Sequence, residues 1–252
     1  MNLEKLIVGC CGWSYFSPKN YFGEEWNKRF VSRLQCYASM FNAVEINSTF
    51  YKIPNEKTAV KWLDEVKEVN KEFVFTLKVN KIVSHVDVFK TRSSEEAFLK
   101  SLKIARILKT KFLLIQTPQS FKPTDSNINN LKNFLKSVSK RLNYERIVFE
   151  FRGDFLKNEK IIRKICEENK LEHCVDVFRN KPVVCNEFLY FRLHGFGKKI
   201  IYDYNFNDDE LKLLKKKVFD LERNFKPKKI FIFFNNYYMY ENALKFIKLI
   251  EQ

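Results

Sequence analysis

Glycine, proline and histidine are scarce in this 252-residue sequence, which contains six, six and three of them. So little glycine and proline excludes collagen-like, linker-like and Pro-rich architectures and leaves no composition break where a domain boundary would fall. Three histidines, with six cysteines (Cys10, Cys11, Cys36, Cys166, Cys174 and Cys185) that show no CxxC and no repeated spacing, argue against a zinc framework. The cysteines read as small buried residues in a reducing compartment. No apolar run approaches the about 20 residues of a membrane-spanning helix. The start, MNLEKLIVGC, mixes acid and base before a short apolar stretch, unlike a signal peptide. A cytoplasmic protein without a membrane partner is expected, and nothing in the sequence fixes an oligomeric state. No Ser-His-Asp or Cys-His nucleophile pattern is legible, and Cys10-Cys11-Gly12-Trp13 is not a glycine-rich phosphate loop.

Apolar material is plentiful. The chain is 45% hydrophobic and 16% aromatic, enough for a sizeable core. Its 46 basic and 30 acidic residues leave a net charge of +16. One reading is attraction to nucleic acid or another polyanion. The other is composition alone: the chain is rich in Lys, Phe, Ile and Asn, as an AT-rich genome writes, and its lysines are scattered over every predicted helix.

Eight short apolar runs alternate with helical patterns. The strands are expected at Ile7–Gly12, Val44–Asn47, Phe73–Lys78, Phe112–Gln116, Ile147–Phe151, Cys174–Val177, Phe188–Leu193 and Ile230–Phe234. Helices are expected over about 24–40, 56–69, 93 onward, 125–141, 158–169, 207–223 and 242–250. This order predicts one (β/α)8 TIM barrel over residues 1–252, with a doubly wound open sheet as the alternative.

In such a barrel the site lies at the carboxyl ends of the strands. The second strand shows the principle: Val44 and Ile46 face the helices, and Glu45 and Asn47 face the other way. A buried carboxylate is costly unless paired or solvated. The last inward positions of the other strands give Lys78, Gln116, Glu150 with Arg152, Asp176, Arg192 with His194, and Asn235. Either these residues form a site or they form a self-neutralising ion layer that plugs the barrel. Gly195 and Gly197, with Lys198 and Lys199, suit a phosphate grip after the seventh strand, or a plain flexible turn. Trp13, Tyr15, Phe50 and Tyr51, with Tyr237, Tyr238 and Tyr240, form an aromatic wall in one reading and helix packing in the other.

The motifs GCCGWSY, VEINSTFY-x-x-P, LLIQTPQSF, FEFR, YFRLHG and FFNN occur in the order seen in the YecE-like family, domain of unknown function 72, which the chain resembles over nearly its whole length. The resemblance implies a TIM barrel and carries no established activity. Gly12, Trp13, Glu45, Asn47, Ser48, Thr49, Tyr51, Glu150, Arg152, Arg192, His194, Gly195, Asn235 and Asn236 fall on the family's motif positions. Two departures stand out. Cys10-Cys11 replaces the family's usual Thr-Ser, and Gly153 replaces a frequent polar residue after Glu-x-Arg.

The expected function is non-redox acid–base catalysis (hydrolysis, elimination or isomerisation) on a small anionic, phosphorylated or nucleotide-like substrate. Glu45, Glu150 and His194 are the expected catalytic residues. Trp13, Asn47, Thr49, Tyr51, Lys78, Gln116, Arg152, Asp176, Arg192, Gly195, Gly197, Asn235 and Asn236 are expected to bind substrate. No cofactor is expected; a divalent metal on Glu45, Asp176 or Glu150 with His194 is the lesser alternative. The rival function is non-catalytic nucleic-acid or polyanion binding.

Overall fold

The computed structural model describes residues 3–197 and 202–251. Its strands are β1 (Leu6–Cys10), β2 (Ala43–Ile46), β3 (Val74–Lys78), β4 (Phe112–Gln116), β5 (Arg146–Glu150), β6 (Glu172–Val175), β7 (Phe188–Leu193) and β8 (Lys229–Phe234). They pair in parallel in sequence order, and β8 returns to β1 from Leu6–Ile230 through Cys10–Phe234, closing the barrel. Parallel strands need long crossovers, which the helices supply. The fold is the expected TIM barrel.

The crossover from β1 to β2 corrects the sequence reading. A short α1 (Lys19–Phe22) forms ahead of the expected span, and in place of one helix over 24–40 there are two short ones, α2 (Trp26–Arg29) and α3 (Arg33–Ala38). Phe30 is extended and buried, and the Ser32 side chain accepts from the Gln35 amide, so a fresh N-cap starts α3 where periodicity alone ran straight through. The later helices are α4 (Glu56–Lys67), α5 (Arg92–Ile107), α6 (Asp125–Ser139), α7 (Glu159–Asn169), α8 (Asp208–Phe225) and α9 (Met239–Glu251). Asn55, Thr124, Asn158 and Asn207 cap four of them through their side-chain oxygens, and Asn207 with Glu210 completes a capping box. The span from β6 to β7 is crossed by turns and irregular chain, with no helix. β6 begins two residues earlier than the sequence suggested, at Glu172. No described helix is long and apolar enough to cross a membrane.

Alternation along the strands sorts the side chains into two cores. One, between barrel and helices, includes Val44, Ile46, Leu113, Ile115, Phe149 and Phe191. The other fills the barrel with Ala43, Phe112, Leu114, Val148, Tyr190 and Phe233 among others. The β1–β2 seam is close. A Cβ on Gly9 would lie 2.1 Å from the Ala43 carbonyl oxygen, so only glycine fits. Tyr37 clamps the same seam: its hydroxyl donates to the Ala43 carbonyl (2.8 Å) and accepts from the Cys10 amide (2.9 Å).

Candidate active site at the carboxyl end of the barrel

Strand polarity delivers the polar inward residues to one end, and Arg192 of β7 gathers them. It is 1% exposed. Its Nε and Nη2 lie 3.0 Å from Glu45 Oε1, and its Nη1 donates to Glu150 Oε2 at 2.6 Å. Glu45 also accepts from the Tyr190 hydroxyl (2.7 Å) and the Cys11 thiol (3.2 Å). Asn47 receives Arg192 Nη2 on its side-chain oxygen at 3.5 Å and donates to the Cys11 carbonyl at 3.2 Å. Glu150 Oε1 accepts from Gln116 Nε2 and Arg152 Nε, both at 2.8 Å. Gln116 in turn accepts from Lys78 Nζ at 2.8 Å.

These contacts set the electrostatics. Burial alone would raise the Glu150 carboxyl, but the guanidiniums of Arg192 and Arg152 outweigh it and hold that carboxyl well below the usual range. Burial likewise disfavours the Arg192 charge, and Glu45 and Glu150 more than restore it. Lys78 is pushed down to about 8 by burial and then by Arg192, and its ammonium sits 4.3 Å from the centre of the Phe50 ring. Burial raises the Cys11 thiol, and Glu45 raises it further, so it is a protonated donor and not a nucleophile.

One inward position further along β7 the chemistry changes. His194 is 2% exposed, its Nδ1 lies 3.3 Å from Asp176 Oδ2, and its backbone amide donates to the same oxygen at 3.0 Å. Asn235 Nδ2 lies 3.0 Å from Nε2. The network assigns the tautomer: Nδ1 carries the proton toward the carboxylate and Nε2 accepts. Burial lowers the imidazole's pKa and favours the neutral ring, outweighing the hydrogen bond that Asp176 accepts, which acts the other way.

Over β5, β6 and β7 opens a cleft of about 650 Å³. Of the sequence-predicted residues, Glu150, Arg152, Asp176, His194 and Gly197 line it. Arg152 is held through Nε by Glu150, and its Nη2 has no hydrogen-bond partner. Glu45, Asn47, Lys78, Gln116 and Arg192 belong to the connected polar layer and do not line the cleft. Glu45, fully buried and closed in by Arg192, Tyr190 and Cys11, is a member of an ion network with no open face. Asn235 reaches the cleft only through His194.

The remaining predicted residues do structural work. The Thr49 hydroxyl is within bonding distance of the Ile46 (2.8 Å) and Lys78 (2.6 Å) carbonyls and ties β2 to β3. Asn236 donates to the Tyr204 carbonyl and to Asn242. Gly195 has φ +103°, and a Cβ there would strike the Tyr204 ring at 2.3 Å. Lys198 and Lys199 lie outside the described residues. The expected aromatic wall divides. Trp13 packs edge-on against Trp62 and Tyr240 is buried against Phe16, while Tyr15, Tyr51 and Tyr237 are exposed. Among the described residues no group of three or more His, Cys, Asp or Glu side chains is arranged to hold a metal.

Strand-end reasoning missed Gln119 and Arg179, which line the cleft from turns, and Asp154 and Lys157, which line it from a short 3-10 helix over Gly153–Lys157. It also missed Tyr190, the inward residue one step before Arg192, which the alternation of β7 signals. Gly153 has a geometric reason: at φ +65° its missing Cβ would fall 2.4 Å from the Gln119 carbonyl oxygen, so the cleft floor closes only over glycine.

The family profile described as "Protein of unknown function DUF72" matches residues 7–252. The chain is 24% identical over 273 residues to the UPF0759 protein YunF of Bacillus subtilis (strain 168), an alignment covering 92% of this chain and 88% of that protein. A DUF72 family protein from Enterococcus faecalis V583 superimposes with a TM-score of 0.75 at 21% identity, covering 98% of this chain and 96% of the other. A D-psicose 3-epimerase solved in the presence of D-fructose gives a TM-score of 0.56 at 8% identity, covering 94% and 89%, a likeness of fold.

Proposed function

The chain belongs to the DUF72 family, the YecE-like proteins of unknown function, and on that premise we propose that it is an enzyme whose cleft over β5–β7 binds a small anionic substrate and performs non-redox acid–base chemistry on it. One observation carries this reading. The Asp176–His194 pair faces the same cleft as Arg152, a fixed cation with a nitrogen still unpartnered. His194, neutral with Nδ1–H on Asp176, offers Nε2 as the base and returns the proton as acid once Asn235 yields that nitrogen to substrate. Arg152 binds the anion, phosphate or carboxylate, in the fork geometry that suits a guanidinium. Glu150 fixes Arg152, and its strongly held charge makes it a poor base. Glu45 acts through Arg192 as a positioning residue. Isomerisation, elimination and hydrolysis all fit this pair; the sugar epimerase likeness supports the fold as a host for such proton transfers and names no substrate.

The test is a thermal-shift screen of phosphate monoesters, nucleotides, sugar acids and oligonucleotides at about 150 mM salt. A small anion should raise the melting temperature, Arg152→Met should abolish the shift, and His194→Gln should keep binding while stopping turnover. If no small anion shifts the wild type, or if Arg152→Met binds equally well, the reading fails. Binding of oligonucleotides alone, steeply salt-dependent and indifferent to Arg152→Met, would put the polyanion function in its place.

A further inference from the structure

The opposite end of the barrel holds a second cavity, of about 360 Å³, within the roughly 300–1,000 Å³ of small-molecule sites. Phe112, Phe188 and Phe231 line it with their rings packed on one another, centroids 4.6 to 6.1 Å apart. Phe112 and Phe231 are buried at its base, and Phe188, Ile7 and Val74, all half-buried, form the apolar surface that partly meets water. Leaving such surface wet costs free energy that an apolar ligand would recover.

The rim is predominantly basic. Lys67 ends α4, Lys71 precedes β3, and Lys109 and Lys111 precede β4; all four are exposed and line the cavity. None of the four makes an ion pair with a described residue, in a molecule where ten other lysines do. Lys229, also in the lining, spends its ammonium on the Glu4 carbonyl at 2.7 Å. Among the described residues, Glu72 is the sole acid lining the cavity.

We infer that this cavity binds a soluble amphipathic anion, a carboxylate head on a hydrocarbon body, with medium-chain fatty acids as the simplest members. The aromatic floor takes the chain and the lysines take the head. A cationic amphiphile offers the same chain and would be repelled, and a neutral one would leave the lysines unused. The site is independent of the cleft at the carboxyl end, which shares no lining residue with it.

Isothermal titration of the full chain with decanoate and with decyltrimethylammonium, each below its micelle concentration, tests this directly. Decanoate should bind saturably with one site and the cation should not. Lys71→Glu/Lys111→Glu, at exposed positions that leave the fold intact, should weaken decanoate by about tenfold, and Arg152→Met should leave it unchanged. Equal binding of the two amphiphiles, or decanoate affinity indifferent to the lysine reversals, would overturn the inference. So would concentration-dependent self-association, or capture by anionic vesicles, that the double variant abolishes in the absence of decanoate binding.

Discussion

The two ends of this barrel are built from the same strands and hold opposite kinds of core. β7 shows the gradient: its inward positions run Phe188, Tyr190, Arg192 and then His194 just beyond it, from aromatic through amphipathic to charged and titrating. At the amino end, rings pack without direction, and neighbours can adjust to loss. At the carboxyl end the contacts are chiefly directed hydrogen bonds around buried charges, so each group depends on its partners. The amino end resists unfolding through area; the carboxyl end is specified by pairing.

The comparison breaks or sharpens on four measurements. Arg192→Met strands Glu45 and leaves Glu150 with Arg152 alone, and should cost about 3–5 kcal/mol in urea denaturation. The double variant Glu45→Gln/Arg192→Met, which leaves Glu150 paired with Arg152, should lose less than the single one. If the single variant costs no more than a surface change, the pairing argument is wrong. Phe112→Ala at the other end should cost about 3 kcal/mol by lost area, with no such recovery from a second substitution.

Acid comes next. His173, 2% exposed, is pushed down to about 4 by burial from its ordinary 6.5. Below 6.5 the unfolded chain takes up a proton that the folded chain refuses, so stability present at neutral pH drains away as pH falls toward 4. Glu150, held low, extends the loss below its ordinary 4.5, where the unfolded chain protonates first. A fall on the order of 1–3 kcal/mol between about pH 7 and pH 4 is expected from His173, and urea midpoints that stay level would contradict it. The smallest effect belongs to Lys71→Glu/Lys111→Glu, which should change stability by no more than about 0.5 kcal/mol while altering what the amino end binds.

The barrel was legible in the sequence because parallel strands buried on both faces read as apolar runs of fixed length. β4 and β7 matched to the residue, and the inward polar ends of β2, β3, β4, β5 and β7 do converge as one connected set. Depth was not legible. Strands in a barrel are tilted and staggered, so the last inward residue of one lies at a different height from that of another. Glu45 is therefore sealed under Arg192 while His194 and Asp176 reach the cleft. Arg179 and Gln119 come from turns and Lys157 from a single short 3-10 helix, where no period marks them. The break before α3 hid because Trp26, Phe30 and Leu34 keep helical spacing across it, and only Ser32 betrays the new start.

Arg192 also has a place in time. Its partner Glu45 is 147 residues earlier in the chain and Glu150 is 42 earlier, so both carboxylates are synthesised long before the guanidinium that joins them. Until β7 inserts, a nascent barrel of six strands holds Glu45 without its cation and Glu150 with Arg152 alone, and its polar end stays open. Contacts this distant are late and expensive to form, which favours an assembly that completes in one cooperative step. A fragment ending at residue 187 should therefore remain expanded in solution scattering, and a compact fragment would show that the strands close without the arginine.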